Sequence, residues 1–236
     1  MNKIKLICCE VLKREAVHCM ERSNMVFDVE YTKKSSHRDP AKLQKEIQDI
    51  IDRTRDADAV ILGFGLCGNT LNGMKAGSIP LVIPKAHDCC TLYLGSRDRY
   101  QELFSGNESM PWGSTGYSGI EYEHDDFLGL SKEYEDFVVK YGEENARFIW
   151  DVLHPKSRSS EALFIVIPET YSEEVHLDFV EKAGKEELST RTVPGDLGLI
   201  RKLLEGLWDD DFLVVPPGEA VQAQVDSRDV IGCVLK

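Results

Sequence analysis

Short apolar segments alternate with amphipathic ones through the first 105 residues, and this alternation restricts the fold more than any other feature of the chain. Helical patterns follow the apolar segments, and the clearest helix opens at Asp39-Pro40, with an N-cap residue followed by proline. The apolar segments have the composition of buried strands and occupy residues 3–8, 25–31, 59–62 and 81–83. Strands that alternate with helices predict an α/β fold, in which helices flank a parallel sheet.

The second half of the chain has a similar pattern without repeating the sequence. Strands are predicted at 162–167, 188–193 and 212–215, with helices at 172–184 and 195–206 between them. Two organisations fit this pattern. Either two similar lobes, 1–105 and 155–236, have a cleft between them, or residues 1–236 form a single joined α/β unit.

Residues 106–154 would join the two lobes. The first part, 106–120, is rich in Gly and Ser and carries one Trp and one Tyr, which is typical of a surface loop or of a lid over a pocket. The later part, 131–153, has a helical pattern that breaks at Gly142. We therefore expect a connecting segment that is partly loop and partly helix.

The charge of the chain excludes one class of partner. There are 28 Lys+Arg against 41 Asp+Glu, a net charge of −13, and no basic cluster that could follow a nucleic-acid backbone. No apolar run reaches the roughly 18–20 residues that a membrane span requires. The apolar stretch near the first residue is too short for a signal peptide. We expect a cytoplasmic protein that binds neither nucleic acid nor membrane.

Seven cysteines are the strongest chemical feature of the sequence. Their odd number and the lack of an export signal favour metal binding or thiol chemistry over a disulfide framework. Three groups follow predicted strands, namely Cys8–Cys9, Cys67 and Cys89–Cys90. Because parallel strands end at one edge of their sheet, where ligands bind, we expect all three groups on one rim.

Each cysteine group also precedes a predicted helix, and the positive end of a helix dipole lowers the pKa of a nearby thiol. Three thiolates, with a histidine, water or substrate in the fourth position, suit an open zinc site. They also suit an iron–sulfur cluster with one labile iron. His87, directly after a predicted strand, is the best of six histidines for a ligand or proton carrier. A metal-free catalytic thiol and ordinary buried cysteines are the alternatives.

The stretch 63–68, Gly-Phe-Gly-Leu-Cys-Gly, follows a strand and matches the dinucleotide fingerprint, with Asp88 further along the chain. The next strand begins too soon to leave room for the long helix that this fingerprint requires. The glycines more simply let the backbone pass close to a bound group beside Cys67. On that hypothesis Gly65, Gly68 and Asn69 contact the cofactor or substrate.

Two further residues are candidates for the same rim. Ser96 has the position of a helix N-cap, and Arg97 could clamp a carboxylate or phosphate. The alternative is a capped surface helix with a solvated arginine.

Several segments resemble the conserved blocks of the domain of unknown function 1638 family, which has no assigned activity. They span residues 7–15, 65–69, 87–89, 94–100, 141–146 and 212–218. The resemblance implies that Cys9, Cys67 and Cys89 occupy the family's cysteine positions, with Cys8 and Cys90 as local additions. The sequence departs from the family near Met110-Pro111-Trp112-Gly113, where Pro-Gly-Trp is common.

The resemblance also implies a role beside corrinoid-dependent methyltransferases in one-carbon transfer. We therefore expect a metalloprotein with a zinc or iron–sulfur site at Cys9, Cys67, Cys89 and His87, acting on a small molecule or with a corrinoid methyltransferase component. Two alternatives stay open. One is a non-catalytic cofactor-binding or maturation partner of a methyltransferase, and the other is a nucleotide-binding enzyme that uses the glycine loop.

Overall fold

A computed structural model of the chain describes residues 2–66, 70–107, 110–120, 131–153, 159–223 and 231–234. The strands are β1 (Lys3–Cys9), β2 (Val26–Thr32), β3 (Ala59–Gly63), β4 (Leu81–Pro84), β5 (Trp112–Ser114), β6 (Glu161–Val166), β7 (Ser189–Pro194), β8 (Phe212–Val215), β9 (Ala220–Ala223) and β10 (Ile231–Val234). The helices are α1 (Lys13–Met20), α2 (Pro40–Arg53), α3 (Cys89–Leu94), α4 (Arg97–Phe104), α5 (Thr115–Ser118), α6 (Ser131–Tyr141), α7 (Glu143–Leu153), α8 (Glu173–Lys185) and α9 (Gly198–Glu205).

The chain forms two compact units. The first comprises Met1–Tyr100 together with Gly195–Lys236, and the second comprises Gln101–Pro194. These bounds differ from the predicted lobes, because the last segment of the chain returns to the first unit. The predicted cleft between lobes stays a prediction.

The first unit contains a five-stranded sheet in the order β2-β1-β3-β4-β8. Strands β1 to β4 are parallel, which confirms the predicted α/β fold with a parallel sheet flanked by helices. Cys8 pairs with Gly63 of β3, and Cys9 pairs with Thr32 of β2. This register places the end of β1 between the ends of its two neighbours.

Helix α2 shows how local sequence sets an element of this unit. The Asp39 carboxylate accepts a hydrogen bond from the Lys42 backbone N–H at 3.0 Å, and Pro40 supplies the first helical residue. The buried positions recur every three to four residues and are Leu43, Ile47, Ile50 and Ile51. The predicted helix start is therefore confirmed together with its apolar face.

Strand β8 lies elsewhere than its place in the second half of the sequence suggests. It pairs antiparallel with β4, with Leu81 opposite Val215 and Pro84 opposite Phe212, and so extends the first sheet. Strand β9 then forms an antiparallel pair with β10, neither of which the sequence pattern predicted. Strand direction depends on the path of the preceding chain, which local composition does not encode.

The second unit has a parallel three-stranded sheet in the order β5-β6-β7. The prediction of a surface loop over 106–120 is wrong for the described residues Trp112–Ser118, which form β5 and α5. Gly113 of β5 is buried, and a larger residue would not fit there because an added Cβ would come within 2.6 Å of Phe179 and Ser118. The predicted break at Gly142 is confirmed, since its φ of +77° ends α6 before α7 begins.

A membrane span would need a long apolar helix, and the described part of the chain contains none of sufficient length and hydropathy.

An ion-pair network on β1 and β2 gives the first unit a measurable pH dependence. The Lys5 ammonium, on a buried side chain, lies 2.6 Å from Glu30, which also pairs with Arg53. Partial burial raises the pKa of Glu30, but hydrogen bonds and attraction from Lys5 and Arg53 outweigh it, so the net pKa is lowered from 4.5. A lowered folded-state pKa adds stability above the unfolded-state value, and that stability is lost as the pH falls through the folded-state pKa.

We expect Glu30→Gln to lower the free energy of unfolding at pH 7 by up to about 1 kcal/mol, a small effect because the carboxylate is one-third exposed. The difference from the wild type should disappear as the pH falls below 4.5 and through the lower folded-state pKa. Urea unfolding of both proteins at pH 7 and pH 3 measures it. A constant difference at both pH values would contradict this account.

Candidate functional site

The parallel strands of the first sheet all end at the same edge, which we call the carboxyl edge. Strands β1, β2, β3 and β4 end there at Cys9, Thr32, Gly63 and Pro84. Strand β1 lies between β2 and β3, so the connection that leaves β1 runs toward β2 and the connection that leaves β3 runs toward β4, in opposite directions across the sheet. Such a reversal opens a crevice beyond the strand ends, where α/β proteins bind ligands.

A cysteine and a histidine meet at this edge of the sheet, beyond the ends of β1 and β2. The Cys9 Sγ lies 3.3 Å from the His37 Nε2. Cys9 is buried at the end of β1, and His37 lies in the short 3₁₀ turn Lys34–Arg38 that follows β2. A thiol and an imidazole at this distance form either a hydrogen-bonded pair or two ligands of one metal ion.

The 3₁₀ turn that carries His37 is tied to β1 by a second contact. A Glu10 carboxylate oxygen accepts a hydrogen bond of 2.6 Å from the Lys34 backbone N–H. Charge-assisted hydrogen bonds of this kind are short and strong. The two segments that leave the edge after β1 and β2 are therefore held together where Cys9 and His37 meet.

Cys8 and Cys9 point to opposite faces of the sheet, as successive residues of a strand must. An alanine Cβ at Gly63 would come within 2.6 Å of the Cys8 Sγ, so Cys8 packs against β3. Burial raises the pKa of Cys8 well above its ordinary value, and the negative charges of Cys9 and Glu15 raise it further. Cys8 is therefore a protonated packing thiol.

The structure does not unite the cysteines after β4 with Cys9 and His37. Cys89 is buried at the start of α3, where Asp88 caps the helix by accepting the Thr91 N–H at 3.2 Å. Among the described residues, no three His, Cys, Asp or Glu side chains come together as a three-ligand metal site requires. Cys9, His37 and Cys89 thus do not form such a group.

One expectation about the cysteines of this region changes, and the predicted ligand role of His87 stays a prediction. His87 is exposed and stacks on Tyr100, with ring centroids 5.5 Å apart. Burial raises the pKa of Cys90 strongly, so a start-of-helix position does not lower it as the sequence suggested. The histidine that contacts Cys9 in the structure is His37 and not His87.

The glycine loop contacts protein backbone at its described positions. The Leu66 N–H donates to the Ala86 carbonyl at 2.8 Å, and a Cβ on Gly65 would lie 2.4 Å from the Asp88 Cα. Gly65 therefore allows the loops after β3 and β4 to touch. Cys67, Gly68 and Asn69 lie outside the described residues, so their predicted roles as ligand and cofactor contacts stay predictions.

Ser96 and Arg97 have partners within the first unit. The Ser96 Oγ accepts the Arg99 N–H at 3.3 Å, as the predicted cap requires. The Arg97 guanidinium lies 3.2 Å from the Asp211 carboxylate and 3.4 Å from the Asp210 carbonyl. Arg97 therefore links α4 to the segment before β8, and a clamp on a bound anion stays a prediction.

His37 is the site residue that sequence reasoning missed. It is the fifth residue after the end of β2, and no pattern in its own segment distinguishes it from the other histidines of the chain. Its position in the sequence could have indicated it, since a residue that soon follows any parallel strand of this sheet lies at the same edge as Cys9. Only the tertiary structure shows that the 3₁₀ turn folds back toward β1.

A family model described as Protein of unknown function (DUF1638) matches residues 31–204 of the chain. The match includes His37, Cys67 and Cys89, whereas Cys9 lies before it. No curated protein and no solved structure matches the chain.

Proposed function

The chain belongs to the DUF1638 family, and we propose that it is a metalloprotein whose site is built on Cys9 and His37 at the carboxyl edge of the first sheet. The observation that carries the proposal is the 3.3 Å separation of the Cys9 Sγ and the His37 Nε2. Zinc binds thiolate at about 2.3 Å and imidazole at about 2.0 Å, so tetrahedral geometry separates the two donor atoms by about 3.5 Å. The pair is thus spaced as two ligands of one ion.

The donor atoms favour zinc over an iron–sulfur cluster. Clusters are held mostly by thiolates, whereas a mixed thiolate and imidazole set is common at zinc. We propose Cys67 as a third ligand because it is the fourth residue in sequence after β3, the other neighbour of β1. Three protein ligands leave one position for water or substrate, which is the arrangement of a catalytic zinc site.

Cys9, His37 and Glu10 would each have a distinct role at this site. Cys9, almost completely buried, would hold the ion out of bulk water with a thiolate that offsets part of its charge, and His37 would add a neutral imidazole ligand. Glu10 would fix the turn that carries His37. When bound, zinc would supply a Lewis acid able to activate a thiol, a methyl donor or an oxygen nucleophile.

The first test is the metal itself. We expect anaerobically purified protein to contain about one zinc per chain, with no visible absorption. The cobalt-substituted protein should show a thiolate-to-cobalt charge-transfer band, which His37→Ala should weaken or abolish. Elemental analysis and absorption spectroscopy give these results. A metal-free protein that also forms no cobalt–thiolate band would refute the metal site, and a broad visible band with bound iron would favour a cluster.

The proposed reaction class follows from the family resemblance and from the affinity of zinc for thiols. We propose that the site serves corrinoid-linked methyl transfer, as an enzyme or as an accessory protein. Incubation of the zinc protein with a methylated corrinoid and a small thiol separates these roles. In this step the thiol loses its proton, a carbon–sulfur bond replaces the carbon–cobalt bond of the methylated Co(III) corrinoid, and the corrinoid is released in the Co(I) state. Formation of the thioether and the Co(I) corrinoid by the protein alone supports an enzyme. Activity that appears only with an added methyltransferase component supports a maturation or cofactor-binding partner.

A further inference from the structure

A buried hydroxyl at the carboxyl edge of the first sheet makes no hydrogen bond to the described residues. The side chain of Thr32 is almost completely buried, and its Oγ1 has no partner within the described part of the chain. Folded proteins pair nearly all such groups, because a buried polar atom without a partner loses its hydrogen bonds to water and gains no protein hydrogen bond that would compensate. An unpaired hydroxyl at this position therefore requires an explanation.

Its place in the fold supplies one. Thr32 is the last residue of β2 and is the register partner of Cys9, the last residue of β1. Register partners on neighbouring strands project from the same face, with their backbones about 4.8 Å apart. The Thr32 hydroxyl is therefore on the face of the sheet that carries the Cys9 Sγ, at the strand ends where His37 approaches Cys9.

The residue type strengthens the argument. Valine has nearly the shape of threonine, favours strands equally, and carries no hydroxyl to desolvate. Packing alone would therefore favour valine at position 32. A hydroxyl that weakens the ligand-free fold is typical of a binding site, where stability and function conflict.

We propose that the Thr32 hydroxyl donates a hydrogen bond to the exogenous ligand that occupies the open position beside Cys9 and His37. This inference rests on the proposed metal site and deepens it, because the hydrogen bond that a hydroxyl donates is strongest to a ligand that coordinates through an anionic atom. The ligand class is thus a small anion such as a thiolate or hydroxide. An apolar ligand would leave the hydroxyl unpaired, and a neutral water would donate to the Thr32 Oγ1 without gaining the charge-assisted hydrogen bond that an anion gains.

The first experiment measures the stability of the metal-free protein. We expect Thr32→Val to raise the melting temperature by about 2–4 °C, because it removes an unpaired buried hydroxyl. Thr115→Val is the matched control, since the buried Thr115 Oγ1 accepts the Ser172 N–H at 3.0 Å and its loss should lower the melting temperature. A lower melting temperature for Thr32→Val would show a structural partner and overturn the inference.

The second experiment measures anion binding by the cobalt-substituted full chain, with azide as the probe. We expect Thr32→Val to weaken azide binding about tenfold and Thr32→Ser to restore it, while both retain cobalt as the wild type does. Unchanged azide affinity in Thr32→Val, on a protein with a normal cobalt–thiolate band, would overturn the role of Thr32 alone. Absence of that band in the wild type would instead overturn the metal site.

Discussion

Serine in place of Cys9 is expected to lower the affinity for zinc by more than about 100-fold. Loss of an outer-shell partner already costs 10–100-fold in metal affinity, and removal of a directly coordinating thiolate also removes charge and geometry. Cys67→Ser should have an effect of the same order if Cys67 is the third ligand. Competition with a chromophoric chelator measures both affinities, and elemental analysis of the purified variants checks them.

Cys19→Ser is the matched control for this prediction. Cys19 is a buried thiol of α1, and burial raises its pKa to about 11, so it remains a neutral packing group at pH 7. Its replacement should cost stability but leave the zinc content unchanged, and Cys233→Ser should also leave it unchanged. Equal zinc content in Cys9→Ser and Cys19→Ser would refute the assignment of Cys9. Equal content in Cys67→Ser and Cys19→Ser would refute Cys67.

Alanine in place of Gly65 is expected to lower the free energy of unfolding by about 3 kcal/mol or more. Its Cβ would lie 2.4 Å from both the Cα and the carbonyl carbon of Asp88 and 2.7 Å from its nitrogen. Overpacking against side chains costs about 1–3 kcal/mol, but backbone atoms cannot rotate away, so the loops after β3 and β4 would have to separate. Urea unfolding followed by circular dichroism measures the loss.

Gly184→Ala provides the control for Gly65→Ala. Gly184 lies in α8, and a Cβ added there meets nothing within 4 Å. Alanine favours a helix interior over glycine by about 0.5–1 kcal/mol, and Gly184 is the penultimate residue of α8, so this substitution should leave the stability unchanged or raise it slightly. If Gly65→Ala were as stable as the wild type, the close contact between the two loops would be wrong.

The elements that the sequence predicted best are those whose signals are local. The Asp39-Pro40 start of α2, the break at Gly142 and the buried apolar strands each depend on neighbouring residues, so the pattern and the structure agree. The placement of Cys9 at the carboxyl edge also follows, because parallel strands share one polarity. The sequence by itself therefore determined the fold class and the edge at which the candidate site lies.

The tertiary structure decided which side chains meet at that edge. His37 reaches Cys9 because the turn after β2 folds back toward β1, and the unpaired hydroxyl of Thr32 is recognised only once burial is known. The antiparallel entry of β8 into the first sheet is likewise invisible in its own residues. Each depends on contacts between segments distant in sequence, whose energies come from pairing and burial and not from local propensity.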